Sequence, residues 1–502
     1  MDVLHNLAFG FSVAFSPANF AFCLFGAAVG TFVGILPGIG PVTTIAMLLP
    51  ITFKLPAVGA IIMLSGIYYG AHHSGSTTAI MLNMPGEPSS VVICIDGAPM
   101  ARKGQAGPAL AIAAIASFVA GCVGFVVVAT LSPVLARLSL AFGPTEYFST
   151  IVMALVLGSV LSGNSLLTTL GMSLLGLLIG CVGTDMTTGD YRYNFGVPEL
   201  AEGVDFVAVA VGVFAFGEII MTLRNPERHA KIDTRISGLM PTRKDLRRSV
   251  MPILRSTALG AFLGIFPGTG PLLASFAAYA MERQLADEPS RFGQGAIEGV
   301  AGPEAANNAA AITHYIPMLT LGIPAGAAMA LMLGALQIQG ITPGPEVVSK
   351  HADLFWGVIA SMWIGNMMLL VLNLPMIGLW VRALLIPFRL LYPAILAFCC
   401  VGVFSVNNTP FDVLLAALFG LFGVFFKVLD CHPAPLVLAV VLEPLLEGNF
   451  RRAMIISNGD ATTIVTHPFS LAILVLTAVM TAFFAMRKGP LVARPGDAAR
   501  RS

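Results

Sequence analysis

Long apolar stretches follow one another along this chain with few polar loops between them. They run Ala18 to Leu36, Pro56 to Tyr69, Ala109 to Leu131, Phe148 to Val160, Leu166 to Val182, Phe206 to Leu223, Leu354 to Leu374, Pro393 to Phe404, Val413 to Val428, Pro435 to Leu446 and Phe469 to Met486. A helix needs about 20 apolar residues to cross bilayer hydrocarbon, and several of these stretches are shorter. Runs such as LLGLLIG and VVVATLSPVL lack the strict alternation that a membrane β-barrel requires. The pattern therefore predicts an all-α polytopic membrane protein with about 10–12 transmembrane helices. Broken or re-entrant helical hairpins are expected where Gly and Pro interrupt the apolar stretches.

The interruptions recur in order. TFVGILPGIGP at Thr31 to Pro41 returns as AFLGIFPGTGP at Ala261 to Pro271, 230 positions later. GAHHSGSTTAIMLNMPGEPSS (Gly70 to Ser90) has a counterpart in GPEAANNAAAITHYIPMLTLGIPAGAA (Gly302 to Ala328). Each passes from a glycine through small, hydroxyl or amide residues to a break, at Pro85 and at Pro324. DGAPMARKGQAGP (Asp96 to Pro108) and LGALQIQGITPGP (Leu333 to Pro345) then both close on Gly-Pro. Motifs repeated in one order imply duplication of a structural unit. Proline removes a backbone donor and glycine weakens a helix, so each copy should interrupt a membrane helix and free its carbonyls and amides. Paired interruptions of this kind point to the binding site of a transporter.

With 56% hydrophobic and 11% charged residues and a mean hydropathy of +0.86, the chain has too few charges to cover a soluble globule. A net charge of +1 says nothing about nucleic acid, but no basic cluster with interleaved aromatics appears, and no nucleic-acid partner is expected. The seven cysteines lie mostly in apolar stretches without zinc or redox spacing, and read as small core residues. No basic segment precedes the first apolar stretch, so no cleavable signal peptide is expected.

Charge does set an orientation. Nine Lys and Arg between Arg224 and Arg255 face only Glu227, Asp233 and Asp245. By the positive-inside rule this stretch and the basic tail from Arg487 are cytoplasmic, and the acid-containing loop Thr184 to Gly203 lies outside. The expected organisation is a first membrane repeat over 1–223, a basic cytoplasmic linker over 224–250, a second membrane repeat over 251–486 and a cytoplasmic tail over 487–502. The second GIFPGTGP follows the linker after one apolar segment, whereas no Lys or Arg precedes Lys54. The two copies are therefore expected to enter from opposite faces as an inverted repeat.

At these motifs the chain resembles the large membrane subunit of the tripartite tricarboxylate transporters, the TctA family. The resemblance rests on GILPGIGP, on YYG, STTAIMLNMPGEPSS and DGAPMARKGQAGPAL, on GIFPGTGP, and on GVAGPEAANNAA, IPMLTLGIPAGAAMALMLGAL and GITPGP. With the hydropathy profile, these cover most of the chain. The resemblance implies a multi-pass secondary transporter of the bacterial inner membrane that takes up small carboxylates, citrate-like tricarboxylates or related acids. It also implies two protein partners: a small membrane subunit (TctB-like) and a periplasmic solute-binding protein (TctC-like). No cofactor is implied beyond a coupling ion, Na+ or H+. Two departures lie close to the expected pocket. AHHSG (71–75) stands where a glycine-rich YGG-type run is expected, and IPAG (323–326) where IPGS is; both leave the substrate open.

The candidate substrate- or ion-binding residues cluster at the interruptions. Pro37, Gly38, Gly40 and Pro41, with Pro267, Gly268, Thr269, Gly270 and Pro271, would shape tips that aim backbone groups and helix ends at an ion or carboxylate; otherwise they only kink packed helices. Ser74, Ser76, Thr77, Thr78 and Asn83 offer hydroxyls and an amide beside Pro85 and Gly86, though small residues also let helices pack closely. Asn307, Asn308, Thr313, Thr320, Gly322 and Pro324 form the partner set, and adjacent asparagines in a bilayer are costly unless paired or functional. Glu304 is a candidate ion or proton ligand, or a helix cap after Pro303. Asp96 reads as a turn residue at a membrane boundary. Arg102 and Lys103 read as membrane-edge anchors. His72, His73 and His314 either titrate with transport or are merely hydrogen-bonded. NNTPFD (407–412) and CHPAP (431–435) read as helix ends or scaffold.

No catalytic residue, and no metal beyond a coupling Na+, is expected. The favoured mechanism is alternating access between two broken hairpins. ATP is not expected to drive it, because no Walker lysine follows a glycine loop. An intramembrane hydrolase built on Ser74 and a nearby His, and a passive anion channel, are the competing readings.

Overall fold

The computed structural model describes residues 3–36, 40–139, 142–161, 165–185, 188–224, 238–266, 270–383 and 388–486. Helix α1 (Val3–Ala14) leads into α2 (Pro17–Ile35), which opens on a proline whose missing N–H would have been unpaired in any case. After Leu36 the helix stops, and the chain resumes as α3 (Gly40–Thr52). Next come α4 (Ala57–Leu82), α5 (Val91–Arg102), α6 (Ala106–Ser139), α7 (Pro144–Leu161) and α8 (Leu166–Gly180). A small antiparallel hairpin follows, β1 (Gly183–Thr184) against β2 (Tyr191–Arg192). Asp205 then caps α9 (Phe206–Ala210), accepting from the Ala208 N–H at 3.0 Å. The helix widens to π geometry over Val211–Phe216 and continues as α10 (Gly217–Arg224).

The second half begins with α11 (Arg243–Gly264) and α12 (Gly270–Leu285), then α13 (Glu298–Thr313), α14 (Tyr315–Leu321), α15 (Ala327–Ile338), α16 (Glu346–Lys350), α17 (Ala352–Asn373) and α18 (Ile377–Ala383). It ends with α19 (Phe388–Asn407), α20 (Pro410–Val428), α21 (Ala434–Ile456), α22 (Thr463–Thr466) and α23 (Pro468–Met486). Among the described residues, α2, α6, α17 and α20 are each long and apolar enough to cross a membrane alone, and a series of shorter apolar helices accompanies them. The chain is an all-α polytopic membrane protein.

Helices α4 and α13 form its centre. They are buried along nearly their whole length, with only small or polar residues over Gly70–Ala79 apart from the two histidines. Helix α2 lies along α4 and α11 along α13. Helix α6 crosses α13 and α17, while α3 leans on α4, α15 and the π-helical stretch. There Thr43 Oγ1 donates to the Phe214 carbonyl at 3.5 Å, using an acceptor that widened helix geometry exposes.

Three sequence expectations need correction. The span that began at Pro56 does not stop at Tyr69 but runs to Leu82, so Ser74, Ser76, Thr77 and Thr78 are helical and the break falls at Asn83–Gly86. Glu304 is not a cap, because α13 begins at Glu298 and carries Pro303 inside it. The polar linker ends before residue 250: Thr242 and Asp245 form a reciprocal cap that starts α11 at Arg243. Arg255, counted with the linker charges, is an α11 residue whose Nη2 lies 2.6 Å from Glu282 Oε2 on α12. Residues 225–237 of the linker and the tail 487–502 lie outside the described residues.

Candidate functional site

Each interrupted segment fits against its neighbour through bare backbone. A methyl group on Gly34 would meet Ala71 O at 2.6 Å and Ala71 Cα at 2.8 Å, and would also collide with Ser74 Oγ. A methyl group on Gly264 would meet Ala310 O at 2.6 Å and Ala310 Cα at 2.7 Å, and would collide with Thr313 Oγ1. Both glycines are thus required by close approach of two helices. Past the break, α3 and α12 each open on a glycine in the left-handed region, Gly40 at φ +60° and Gly270 at φ +57°. The chain then reaches its next breaks alike: α4 closes on Asn83 at φ 54°, and α14, which follows α13, closes on Gly322 at φ 69°, immediately before Pro85 and Pro324. Pro41 is buried and Pro271 half-buried. Pro37, Gly38, Pro267, Gly268 and Thr269 lie outside the described residues.

Between the two breaks runs a buried polar network. Gly86 sits against the Gly34 carbonyl and the Thr78 hydroxyl, and Glu87, the next residue, lays its side chain across Gly75. Ser89 and Ser90 close a reciprocal cap with Glu87. Glu87 Oε2 stands 3.3 Å from His72 Nδ1, an ion-pair distance without hydrogen-bond alignment. From α13, Asn307 Nδ2 donates to Glu87 Oε1 at 3.2 Å, and its Oδ1 accepts from Ser89 Oγ at 2.7 Å. One residue on, Asn308 Nδ2 donates to Glu304 Oε1 at 3.0 Å and to Ser117 Oγ of α6 at 2.9 Å; Ser117 Oγ in turn donates to Glu304 Oε1 at 2.5 Å. Tyr68 extends the cluster, edge-on to His72 and with its hydroxyl 3.3 Å from His314 Nδ1. Glu304 and Asn307 are fully buried, and Glu87 and Asn308 nearly so. Buried polar groups on this scale persist in an apolar surround only when they are mutually satisfied or used.

The hydroxyls named from the sequence are placed differently. Ser74, Ser76, Thr78, Thr313 and Thr320 donate to Gly70 O, His73 O, Gly75 O, Ala309 O and Ile316 O of their own helices. That self-bonding satisfies the donors in an apolar surround. Ser76 still abuts Glu304. Thr320, whose carbonyl accepts from Ser139 Oγ, belongs with Gly322 and Pro324 to the second break and makes no hydrogen bond to the network among the described residues. No Ser74–His hydrogen bond exists among the described residues, so the arrangement needed for a serine hydrolase is missing there.

Asp96 is a correction as well. It lies inside α5, fully buried, and its carboxylate accepts from the Gly293, Gly295 and Ala296 N–H groups at 2.7–2.9 Å and from Tyr279 Oη at 2.9 Å. Lys103 is exposed and donates to Gln294 O of the same loop at 2.6 Å. Glu87, Ser89 and Ser117 were not on the candidate list. Glu87 had a legible signal: it is the sole Asp, Glu, Lys or Arg between Lys54 and Asp96. Ser117, one hydroxyl in a long apolar run, had none.

A cavity of about 620 Å³ opens elsewhere, between the β-hairpin loop and α21. It is lined by Asp185, Arg192, Glu202, Glu443, Glu447 and Arg451 among others. Its two arginines are both paired, Arg192 on Glu447 at 2.9 Å and Arg451 on Asp185 at 2.5 Å, and Cys181 Sγ donates to Glu443 Oε1 at 3.4 Å. Internally paired charge of this kind reads as the lock of a loop onto a helix end, so the network on α4 and α13 is the better candidate site.

Two proteins of Agrobacterium vitis are similar to this chain. One, described as "Uncharacterized 52.8 kDa protein in TAR-I ttuC' 3'region", is 53% identical over 474 residues, 94% of either chain. The other, "Uncharacterized protein in TAR-II ttuC' 3'region", is 57% identical over 220 residues, 44% of this chain and 91% of its own length. No solved structure matches. The family described as "Tripartite tricarboxylate transporter TctA family" matches residues 20–438, a span that holds both breaks and the whole polar network. The chain belongs to the tripartite tricarboxylate transporter TctA family.

Proposed function

We propose that this chain is the large transmembrane subunit of a binding-protein-dependent secondary transporter that takes up small carboxylates by alternating access, driven by a cation gradient. It would work in the bacterial inner membrane with a small membrane subunit and a periplasmic solute-binding protein, as its family's name and the tripartite arrangement imply. The observation that carries the reading is the pair of matching helix breaks on either side of one buried network. Gly34 meets α4 as Gly264 meets α13, and Glu87 and Asn307 join the two central helices. Two equivalent interrupted units around one polar centre are what a protein needs to expose that centre to each side in turn.

We also propose that the two units are duplicated and inverted in the membrane. Their equivalent glycines lie 230 positions apart, and the residues they press on 239 apart, from Ala71 to Ala310. Single-cysteine labelling at residues 2 and 240 tests this; modification of both from the same side excludes inversion.

The function is tested by reconstituting the chain with its two partners in proteoliposomes and supplying radiolabelled citrate and other di- and tricarboxylates. Accumulation above the external concentration, lost when both the Na+ and H+ gradients are collapsed, is expected. Uptake that survives the collapse rejects cation coupling, and flux that only equilibrates makes the chain a channel.

A further inference from the structure

Asn307 and Asn308 stand side by side on α13, yet they serve two different carboxyl groups, and those groups are not alike. Glu87 has a histidine at ion-pair distance and donors on both oxygens. Glu304 pairs with no Lys, Arg or His among the described residues, and its Oε2 has no hydrogen-bond donor at all. A bare carboxylate buried in this way, without a cation, is among the costliest things a protein interior can hold.

The surroundings of Glu304 identify what neutralises it. Asn308 Nδ2 is within reach of three acceptors, Glu304 O at 3.1 Å, Glu304 Oε1 and Ser117 Oγ; turning the amide over would set oxygen against oxygen. The Ser117 hydrogen is spent on Oε1. Oε1 therefore faces donors, where a metal cation would need converging lone pairs. Ser76, the neighbour from α4, gives its hydrogen to His73 O at 3.2 Å and also lies against the Glu304 carboxyl. A fully buried carboxyl oxygen with neither a donor nor a cation is the arrangement of a carboxylic acid, with its proton on Oε2.

Resting on the transport reading above, we propose that Glu304 is the group that binds and releases the coupling proton, and that it is protonated in the conformation described here. Release would leave one charge on Glu304, within the network that also holds Glu87 and His72. The other titratable groups packed against α13 are already engaged or set apart. Arg255 and Glu282, from α11 and α12, pair with each other against Gly302. Asp96 of α5 and Tyr279 of α12 bind each other near Gly299. His73 lies on α4, and His314, at the end of α13, faces Tyr68. Helix α6 contributes the Ser117 hydroxyl.

Two readouts test this. Infrared difference spectra of the reconstituted complex at neutral pH, wild type against Glu304→Gln, should show a protonated carboxyl band present only in the wild type; no such band overturns the proposal, whatever the substrate. In the proteoliposomes, a wild type driven by a pH gradient alone is expected. Glu304→Gln, fixed in the neutral form, should lose pH-gradient-driven accumulation at least tenfold. Retained accumulation, or a wild type that responds only to Na+, overturns it. Should Glu304→Gln fail to elute as a monodisperse complex, Ser117→Ala keeps the acid and removes one donor; it should move the midpoint of the accumulation–pH profile, and an unmoved midpoint counts against the proposal. A wild type that accumulates nothing sinks the transport reading instead, while the infrared band still reports on the proton.

Discussion

At Gly34 and at Gly264 a helix presses its bare backbone onto a neighbour, with clearances that agree to within about 0.1 Å, yet the two neighbours carry different chemistry. Helix α4 brings Tyr68, Tyr69 and His72 to its inner face; 239 positions later than the two tyrosines, α13 brings Asn307 and Asn308. The acid of the first unit, Glu87, follows its break, whereas that of the second, Glu304, precedes its own. The hairpin arms differ as well. Arg255 and Glu282 tie α11 to α12, while the positions 230 earlier hold Phe25 and Thr52. Backbone contacts that fix how two helices meet tolerate little change, because nothing larger than hydrogen fits them. Side chains facing a shared interior are free to specialise, provided each polar atom finds a partner.

The sharpest way to break this equivalence is to fill the contacts. Gly34→Leu and Gly264→Leu should each cost more than about 3 kcal/mol and abolish monodisperse elution from detergent. One tolerated leucine would show that the two junctions are not alike. Glu282→Ala removes both hydrogen bonds to the partly exposed Arg255 and should cost about 2 kcal/mol. Thr52→Ala, at the matching place in the first hairpin, removes one local hydrogen bond and should cost about 1 kcal/mol. Thermal unfolding in detergent measures both, and equal losses would mean that the ion pair adds nothing to the second hairpin.

Asp96→Asn weakens a carboxylate that holds three backbone N–H groups and should lower stability by about 2 kcal/mol. Lys103→Ala, an exposed contact to the same loop, should change it by less than about 0.5 kcal/mol. The smallest difference lies at the helix ends. Gly322→Ala adds a methyl group 2.8 Å from Pro343 O in the left-handed region and should cost about 2 kcal/mol; Asn83→Gly should be nearly neutral. A costly Asn83→Gly would mean that the Asn83 side chain, rather than its backbone, is what the first break needs.

Much of this was legible in the sequence. Apolar length and the absence of alternation fixed the class, and the Gly-Pro repeats marked where helices stop, because both act through local backbone chemistry. Asn307, Asn308 and Glu304 stood out as polar residues in an apolar run. What could not be read was pairing across distance. Nothing near Ser117 announces Glu304, 187 positions away. Asp96 looked like a turn because Asp-Gly and Pro99 sit together, yet it lies in mid-helix, held by a loop about 200 residues later. The hydroxyls of Ser74 and Thr78 resembled ligands on the page, but a helix in an apolar surround claims such groups for its own carbonyls.

That hold on Asp96 limits what can move. The Asp96 side chain of α5 is gripped by three amides of the loop before α13 and by the Tyr279 phenol of α12, so α5 and the head of α13 are stitched together. On the alternating-access proposal, any rocking that opens the centre to one side would carry this stitched piece whole.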